Sequence, residues 1–239
     1  MNAGFEGFNE NGFKIFGSDY ANLVHYGTTT LTVGGGQYNV IANTVVYWDA
    51  YAVIPNDGSV VRFYRADFPV VEQGGVVRAP TTNIGGTIVC YSFGPALSSS
   101  AGTNEGLEVY DSAGNLTFNT TRPFLKLVGV GLDPSASLLG FKYGYSYPAR
   151  AMGLMAPKVA WSVGNPRYIY LQQQFIRGSS RFTDAFEYIL GCRVDDNGVY
   201  SNYAMQYGPT RRMSGWVGTT DHVPATGAIR VLVADVSGL

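Results

Sequence analysis

The sequence predicts an all-β protein with little helix, arranged as two β-sandwich-like modules. Three observations carry that expectation: short apolar segments of strand-forming residues, turn dipeptides between them, and an internal repeat. The segments 43–54 (NTVVYWDAYAVI), 59–66 (SVVRFYRA), 86–93 (GTIVCYSF), 166–176 (PRYIYLQQQFI) and 228–236 (AIRVLVADV) are rich in Val, Ile, Tyr, Phe and Thr. Side chains of that shape suit a pleated, half-buried surface. The fair helix candidate is Thr183–Leu190, where Thr183 or Asp184 would cap the segment, although its aromatics suit a strand equally well. Asn11-Gly12, Asp57-Gly58, Ala113-Gly114 and Asn197-Gly198 lie between apolar runs and are read as hairpin turns, because Gly supplies the positive φ a tight turn needs.

The repeat aligns residues 4–27 with 106–129 without gaps. It pairs Gly4 with Gly106, Glu6 with Glu108, Gly12 with Gly114, Phe16 with Phe118, Leu23 with Leu125 and Gly27 with Gly129. Phe5/Leu107, Phe8/Tyr110, Asn9/Asp111 and Ser18/Thr120 are conservative pairs, so both copies read as apolar strand, tight turn, apolar strand. Cys90 and Cys192 share the same spacing, but their flanks do not match and chance explains that pair. Two copies imply two units, 1–103 and 104–239, with a boundary after Val130 as the alternative.

Composition narrows the function classes. Charged residues are 14% of the 239, against a usual value of about 25%, while 46% are hydrophobic and 14% aromatic. Such a chain has enough apolar surface to fold and lacks the signature of disorder. Thirty-one Gly and eleven Pro fit many turns between short strands. A net charge of −1 gives no basic field for a phosphate backbone, so nucleic acid is not an expected partner. Two cysteines and two histidines give neither a disulfide framework nor zinc spacing. No basic stretch followed by an apolar run marks Met1–Phe13 as a signal peptide. The apolar stretch Leu138–Val163 is broken by Lys142, Arg150 and Lys158, so no membrane insertion is expected.

The second copy and its approach run IVCYSFGP and then EGLEVYDSAGNLTFNTTRPFLKLVG. Tyr91, Phe93 and Gly94 lead into Gly106, Leu107, Val109, Tyr110, Asp111, Gly114, Leu116, Phe118, Leu125 and Leu127. This pattern resembles tail-tip and tail-fibre-associated proteins of long-tailed bacteriophages, in which an aromatic strand precedes such a hairpin and a Leu-rich strand closes it. Gly12, Asp19, Tyr20, Asn22 and Leu23 resemble the opening hairpin of those proteins, and Leu232–Val236 their closing strand. Asn119-Thr120 stands where they usually carry Asp-Ser. The matched segments cover about a third of the chain and consist of strand and turn residues. What the resemblance implies is architecture and virion context, with other tail proteins as partners and three copies about the tail axis, and no catalytic residues.

Candidate chemistry is sparse. Asp195, Asp196, Asp221 and His222 are the best metal or acid–base set, yet Asp195-Asp196-Asn197-Gly198 is ordinary turn chemistry without calcium-loop spacing. His25 in LVHYG reads as a satisfied core or interface histidine, and Glu105 with Glu108 as hairpin residues. Gly34-Gly35-Gly36 lacks the Lys-Ser/Thr of a phosphate loop, and the sequons at Asn115 and Asn119 have no secretion signal beside them. The more promising segment is Tyr200–Trp216, in which Tyr203, Tyr207 and Trp216 flank Arg211 and Arg212. Aromatics stack on sugars and Arg forks onto carboxylates, so these five are the candidate binding residues. No metal, cofactor or catalysis is expected. The leading expectation is a structural virion protein, and the alternative is a receptor-binding, lectin-like module. A polysaccharide depolymerase ranks third for want of a convergent carboxylate pair.

Overall fold

The computed structural model describes residues 6–8, 14–17, 22–36, 38–41, 44–47, 49–95, 107–120, 122–133, 150–151, 156–164, 168–206, 211–214 and 229–239. The first half supplies β1 (Glu6–Phe8), β2 (Lys14–Gly17), β3 (Leu23–Thr32), β4 (Gly34–Gly35), β5 (Tyr38–Ile41), β6 (Thr44–Tyr47), β7 (Ala50–Val53), β8 (Val61–Arg65), β9 (Val71–Gln73), β10 (Val76–Arg78) and β11 (Thr87–Pro95). The second half supplies β12 (Glu108–Tyr110), β13 (Leu116–Asn119), β14 (Leu127–Asp133), β15 (Arg150–Ala151), β16 (Val159–Gly164), β17 (Tyr168–Arg177), β18 (Ser180–Val194), β19 (Val199–Gln206), β20 (Arg211–Ser214) and β21 (Ile229–Asp235). One 3₁₀ turn, Thr81–Asn83, is the helical element among the described residues.

The chain is nearly all β, as its composition predicts. The helix candidate Thr183–Leu190 lies inside β18. Its β-branched and aromatic residues pair with β17 on one side, from Thr183 opposite Gln174 to Ile189 opposite Tyr168. Local capping chemistry therefore gives way to ladder hydrogen bonds and sheet packing. Gly114 (φ 83°) closes the β12–β13 turn and Gly198 (φ 73°) the β18–β19 turn, as expected. The Asp57-Gly58 turn differs, because β7 and β8 belong to different sheets and the loop between them is a crossover.

The described hairpin strands of the two repeat copies pair alike. In the first, Glu6 faces Gly17, Gly7 faces Phe16 and Phe8 faces Lys14, with a register shift after Gly7. In the second, Glu108 faces Asn119, Val109 faces Phe118 and Tyr110 faces Leu116, with the shift after Val109. These are the positions that the alignment of Gly4 with Gly106 pairs, so even the bulge recurs.

The likeness extends to the large sheet, whose order is β3-β11-β8-β16-β21-β14. Read from either end, it gives the strand after the hairpin, then the last strand of that half, then a central strand. In β3, Ser92 faces Gly27 and Phe93 faces His25, so Tyr26 bulges. In β14, Val233 faces Gly129 and Ala234 faces Leu127, so Val128 bulges at the matching repeat position. The halves meet where β8 pairs with β16 at Tyr64 opposite Trp161. Residue 103 lies between β11 and β12, yet this sheet runs across both halves.

The segment leading into β14 also reaches the start of β3, at the other edge of the sheet. Leu125 N–H donates to Leu23 O at 2.7 Å and His25 N–H to Pro123 O at 2.8 Å, beside a Val24–Phe124 bridge. Alternation then divides the side chains between two clusters. Phe63, Tyr91, Phe93, Ala160 and Ala234 pack together on one face. Tyr64, Ile88, Cys90, Trp161, Val231 and Val233 pack on the other, against a second layer. That layer joins β4-β7-β10-β9 to β15-β19-β18-β17. Val70 and Cys192 exchange backbone hydrogen bonds of 2.8 and 3.0 Å between the two parts. Both layers thus pass continuously from one half to the other, over one core.

Candidate functional site

Where the halves join, charge is placed with care. Asp195 Oδ1 accepts the N–H groups of Asn197 (3.0 Å) and Val199 (2.8 Å), which shapes the β18–β19 turn. The turn holds Asp196 against the seam. Its two carboxylate oxygens accept from Nη1 and Nη2 of Arg65 on β8, at 2.5 and 2.7 Å. Oδ1 also accepts the N–H of Val159 on β16, at 3.0 Å. One carboxylate therefore links β8, β16 and the β18–β19 turn in a bidentate, charge-assisted contact. The Arg65 guanidinium holds the Asp196 carboxyl below its ordinary range. Asp195 and Asp196 are accordingly turn and clamp, while Asp221 and His222 lie outside the described residues. Among the described residues no three His, Cys, Asp or Glu side chains gather as a metal site.

His25 packs on Phe93 and Tyr91, with ring centroids 5.4 and 6.4 Å away. A 3.0 Å hydrogen bond joins its Nε2 to Thr28 Oγ1. Burial lowers its pKa, so the ring stays neutral at neutral pH. Glu108 accepts the Tyr110 hydroxyl at 2.5 Å within its hairpin, and Glu105 lies outside the described residues. Of the three glycines 34–36, the first two form the short strand β4. Both thiols are buried, and burial pushes Cys90 up to about 11 and Cys192 higher still.

A hollow of about 510 Å³ that sequence reading missed lies beside the second hairpin. Phe118, Pro123, Phe124 and Leu239 supply its apolar lining, and Arg122 and Lys126 add cations. Lys126 is engaged by Asp235 at 2.9 Å. Its residues come from two stretches of chain more than a hundred residues apart, 118–126 and 235–239, which no local motif announces.

The described candidate binding residues lie on strands that pair with β18, Tyr203 on β19 and Arg211 and Arg212 on β20. β18 runs from Ser180 to Val194, but β19 pairs with it only from Tyr188 onward. The outer part, residues 180–187, pairs with β17 on one side and with β20 on the other. It forms a three-stranded arm. Register places Arg211 opposite Ala185 and Arg212 opposite Asp184. Tyr203 stands opposite Gly191, seven residues along β18 from Asp184. At about 3.3 Å per residue that is roughly 23 Å from Arg212's row. Tyr207 and Trp216 lie outside the described residues. The sequence reading missed the arm's turn, where residues 176–181 (IRGSSR) are all exposed and carry Arg177 and Arg181. Register sets Arg177 opposite Ser180 and Ile176 opposite Arg181. The Gly178-Ser179 step between two strand-forming runs was the available signal.

No known protein family, curated protein or solved structure matches the chain. No helix among the described residues is long and apolar enough to cross a membrane.

Proposed function

We propose that the chain is a non-catalytic structural protein of a bacteriophage tail, seated at the tail tip or on a fibre and assembling there with other tail proteins. One observation supports this reading above the others. Among the residues that carry the resemblance to tail proteins, Glu108–Tyr110 and Leu116–Asn119 fold as a bulged hairpin, and Leu127 opens an edge strand of the large sheet. Residues of the first copy do the same in the same register. The resemblance thus corresponds to a repeated building unit. In a virion such a unit would be held by intersubunit burial, and three copies fit the axial symmetry of a tail.

A second reading, a receptor-binding, lectin-like module at the host surface, draws on the arm, whose exposed turn carries Arg177 and Arg181 and whose strand β20 carries Arg211 and Arg212. The first reading is tested on the particle itself. Tailed particles purified from the producing culture are analysed by mass spectrometry and labelled with gold-conjugated antibody raised against the recombinant chain. Label on the tail tip or fibre, with the chain present at a fixed ratio to the other tail proteins, is the expected result. Particles that lack the chain would overturn the structural reading.

A further inference from the structure

The hollow beside the second hairpin corresponds to a place that the first half fills. The repeat pairs Asn22 with Phe124 and Val24 with Lys126. Over Asn22 and Val24 lies the second hairpin: Asn22 N–H donates to Thr117 O at 2.8 Å, and the buried Val24 packs on Leu116. At the matching positions of the second half a cavity of about 510 Å³ stays open, a volume usual for small-molecule sites. Phe124 is 38% exposed there, and its ring meets that of Phe118 at 5.9 Å and 55°, which gives the cavity an aromatic wall. A further ring can pack against such a pair in the offset or tilted arrangements that aromatics prefer.

The charges around the cavity do not cancel. Lys126 Nζ donates to Asp235 Oδ2 at 2.9 Å, and Asp235 Oδ1 accepts the Ser237 N–H at 3.0 Å, so the one carboxylate among the described lining residues is engaged at both oxygens. Arg122, half-buried in the wall, has neither a hydrogen-bond nor an ion-pair partner among the described residues. Two cations against one carboxylate leave a single positive charge at the guanidinium, whose planar fork takes both oxygens of a carboxylate. We propose that this cavity binds a small organic carboxylate with an aromatic body, its ring against Phe118 and Phe124 and its carboxylate on Arg122. Burial of the ring supplies affinity, and the fork sets orientation and discriminates against an uncharged analogue. The site lies away from the arm and goes beyond the tail reading, which it neither needs nor alters.

The test titrates the isotope-labelled full chain with three probes, 2-naphthoate, its uncharged analogue 2-naphthalenemethanol, and acetate, and follows heteronuclear NMR spectra. Naphthoate should shift the signals of residues 118–126 and 235–239 saturably and bind at least about ten-fold more tightly than the alcohol, as a charge-assisted hydrogen-bond pair provides, while acetate gives no saturable shift. R122Q breaks no contact among the described residues. It should lose at least about ten-fold in affinity for naphthoate and bind the alcohol as the wild type does, whereas a merely structural role for Arg122 would weaken both ligands alike. F124S should weaken both, and R177Q, in the exposed turn of the arm, neither. No saturable shift with naphthoate, shifts centred elsewhere, equal affinity for acid and alcohol, an equal loss of both ligands in R122Q, or undiminished naphthoate binding in R122Q or F124S overturns the proposal.

Discussion

Replacing Trp161 with alanine tests whether the two halves share one core. Trp161 is 1% exposed and packs in the cluster that also holds Tyr64, Cys90 and Val70 from the first half and Leu190, Cys192 and Val233 from the second. A buried Trp hides about 150–250 Å². At about 25 cal/mol per Å², with part of that area retained by alanine, the loss comes to about 3–5 kcal/mol, which matches large-to-small core substitutions. Against a total stability of about 5–15 kcal/mol, that is a large fraction. With a urea slope of about 3 kcal/mol/M, the unfolding midpoint falls by about 1–1.7 M. The assay is equilibrium urea unfolding followed by far-ultraviolet circular dichroism and by the fluorescence of Trp48 and Trp216, one in each half. Both probes should move together to the lower midpoint. A shift worth less than about 1 kcal/mol, or fluorescence and dichroism that separate into two transitions, would refute the shared core.

Other outcomes follow from the same geometry. Asp196 is held low by Arg65, so its contribution is present above the unfolded pKa and is lost as pH falls through the folded one. Below about pH 4 the wild type should therefore lose stability faster than D196N in parallel denaturation curves, and equal slopes would contradict the clamp. A Cβ on Gly94 would lie 2.4 Å from Cζ of Tyr26, whose hydroxyl donates to Pro95 O at 2.8 Å. G94A should cost about 1–3 kcal/mol, and adding Y26V, the residue found at the matching bulge Val128, should recover part of it. Burial raises both thiols, so the native protein at pH 8 should show almost no fast reaction with a thiol reagent and two equivalents in urea.

How much of this was legible in the sequence depended on the distance over which the information is carried. The β12–β13 and β18–β19 hairpins were legible because turn residue, alternation and partner lie within about a dozen residues, and the repeat stated the first of them twice. Strand segments such as 59–66 and 86–93 emerged as β8 and β11 for the same reason. The segment 43–54 reads as one strand but divides into β6 and β7. Asp49 sits between them, 6% exposed and bonded by Arg78 Nη1 at 2.5 Å. A buried ion pair with a partner 29 residues away leaves no local trace. The seam was illegible on the same grounds. Nothing in the alternation of β8 says that its neighbour is β16, and Arg65 and Asp196 are ordinary residues until the fold opposes them. At the candidate binding segment, the composition of Tyr200–Trp216 pointed to Arg211 and Arg212. The other two arginines of the arm come from the preceding hairpin, and only the register of β18 brings all four to one end.

The account's central claim is that two repeat-bearing halves complete one another through β8–β16 and Val70–Cys192. The most direct measurement is the heteronuclear NMR spectrum of residues 1–103 and of residues 104–239, each made alone and then mixed in equal amounts. Neither half alone buries the face of its central strand, so the separate spectra should show poor dispersion and the mixture should regain the dispersed spectrum of the full chain. Two well-dispersed spectra that remain unchanged on mixing would contradict the claim and establish two independent modules.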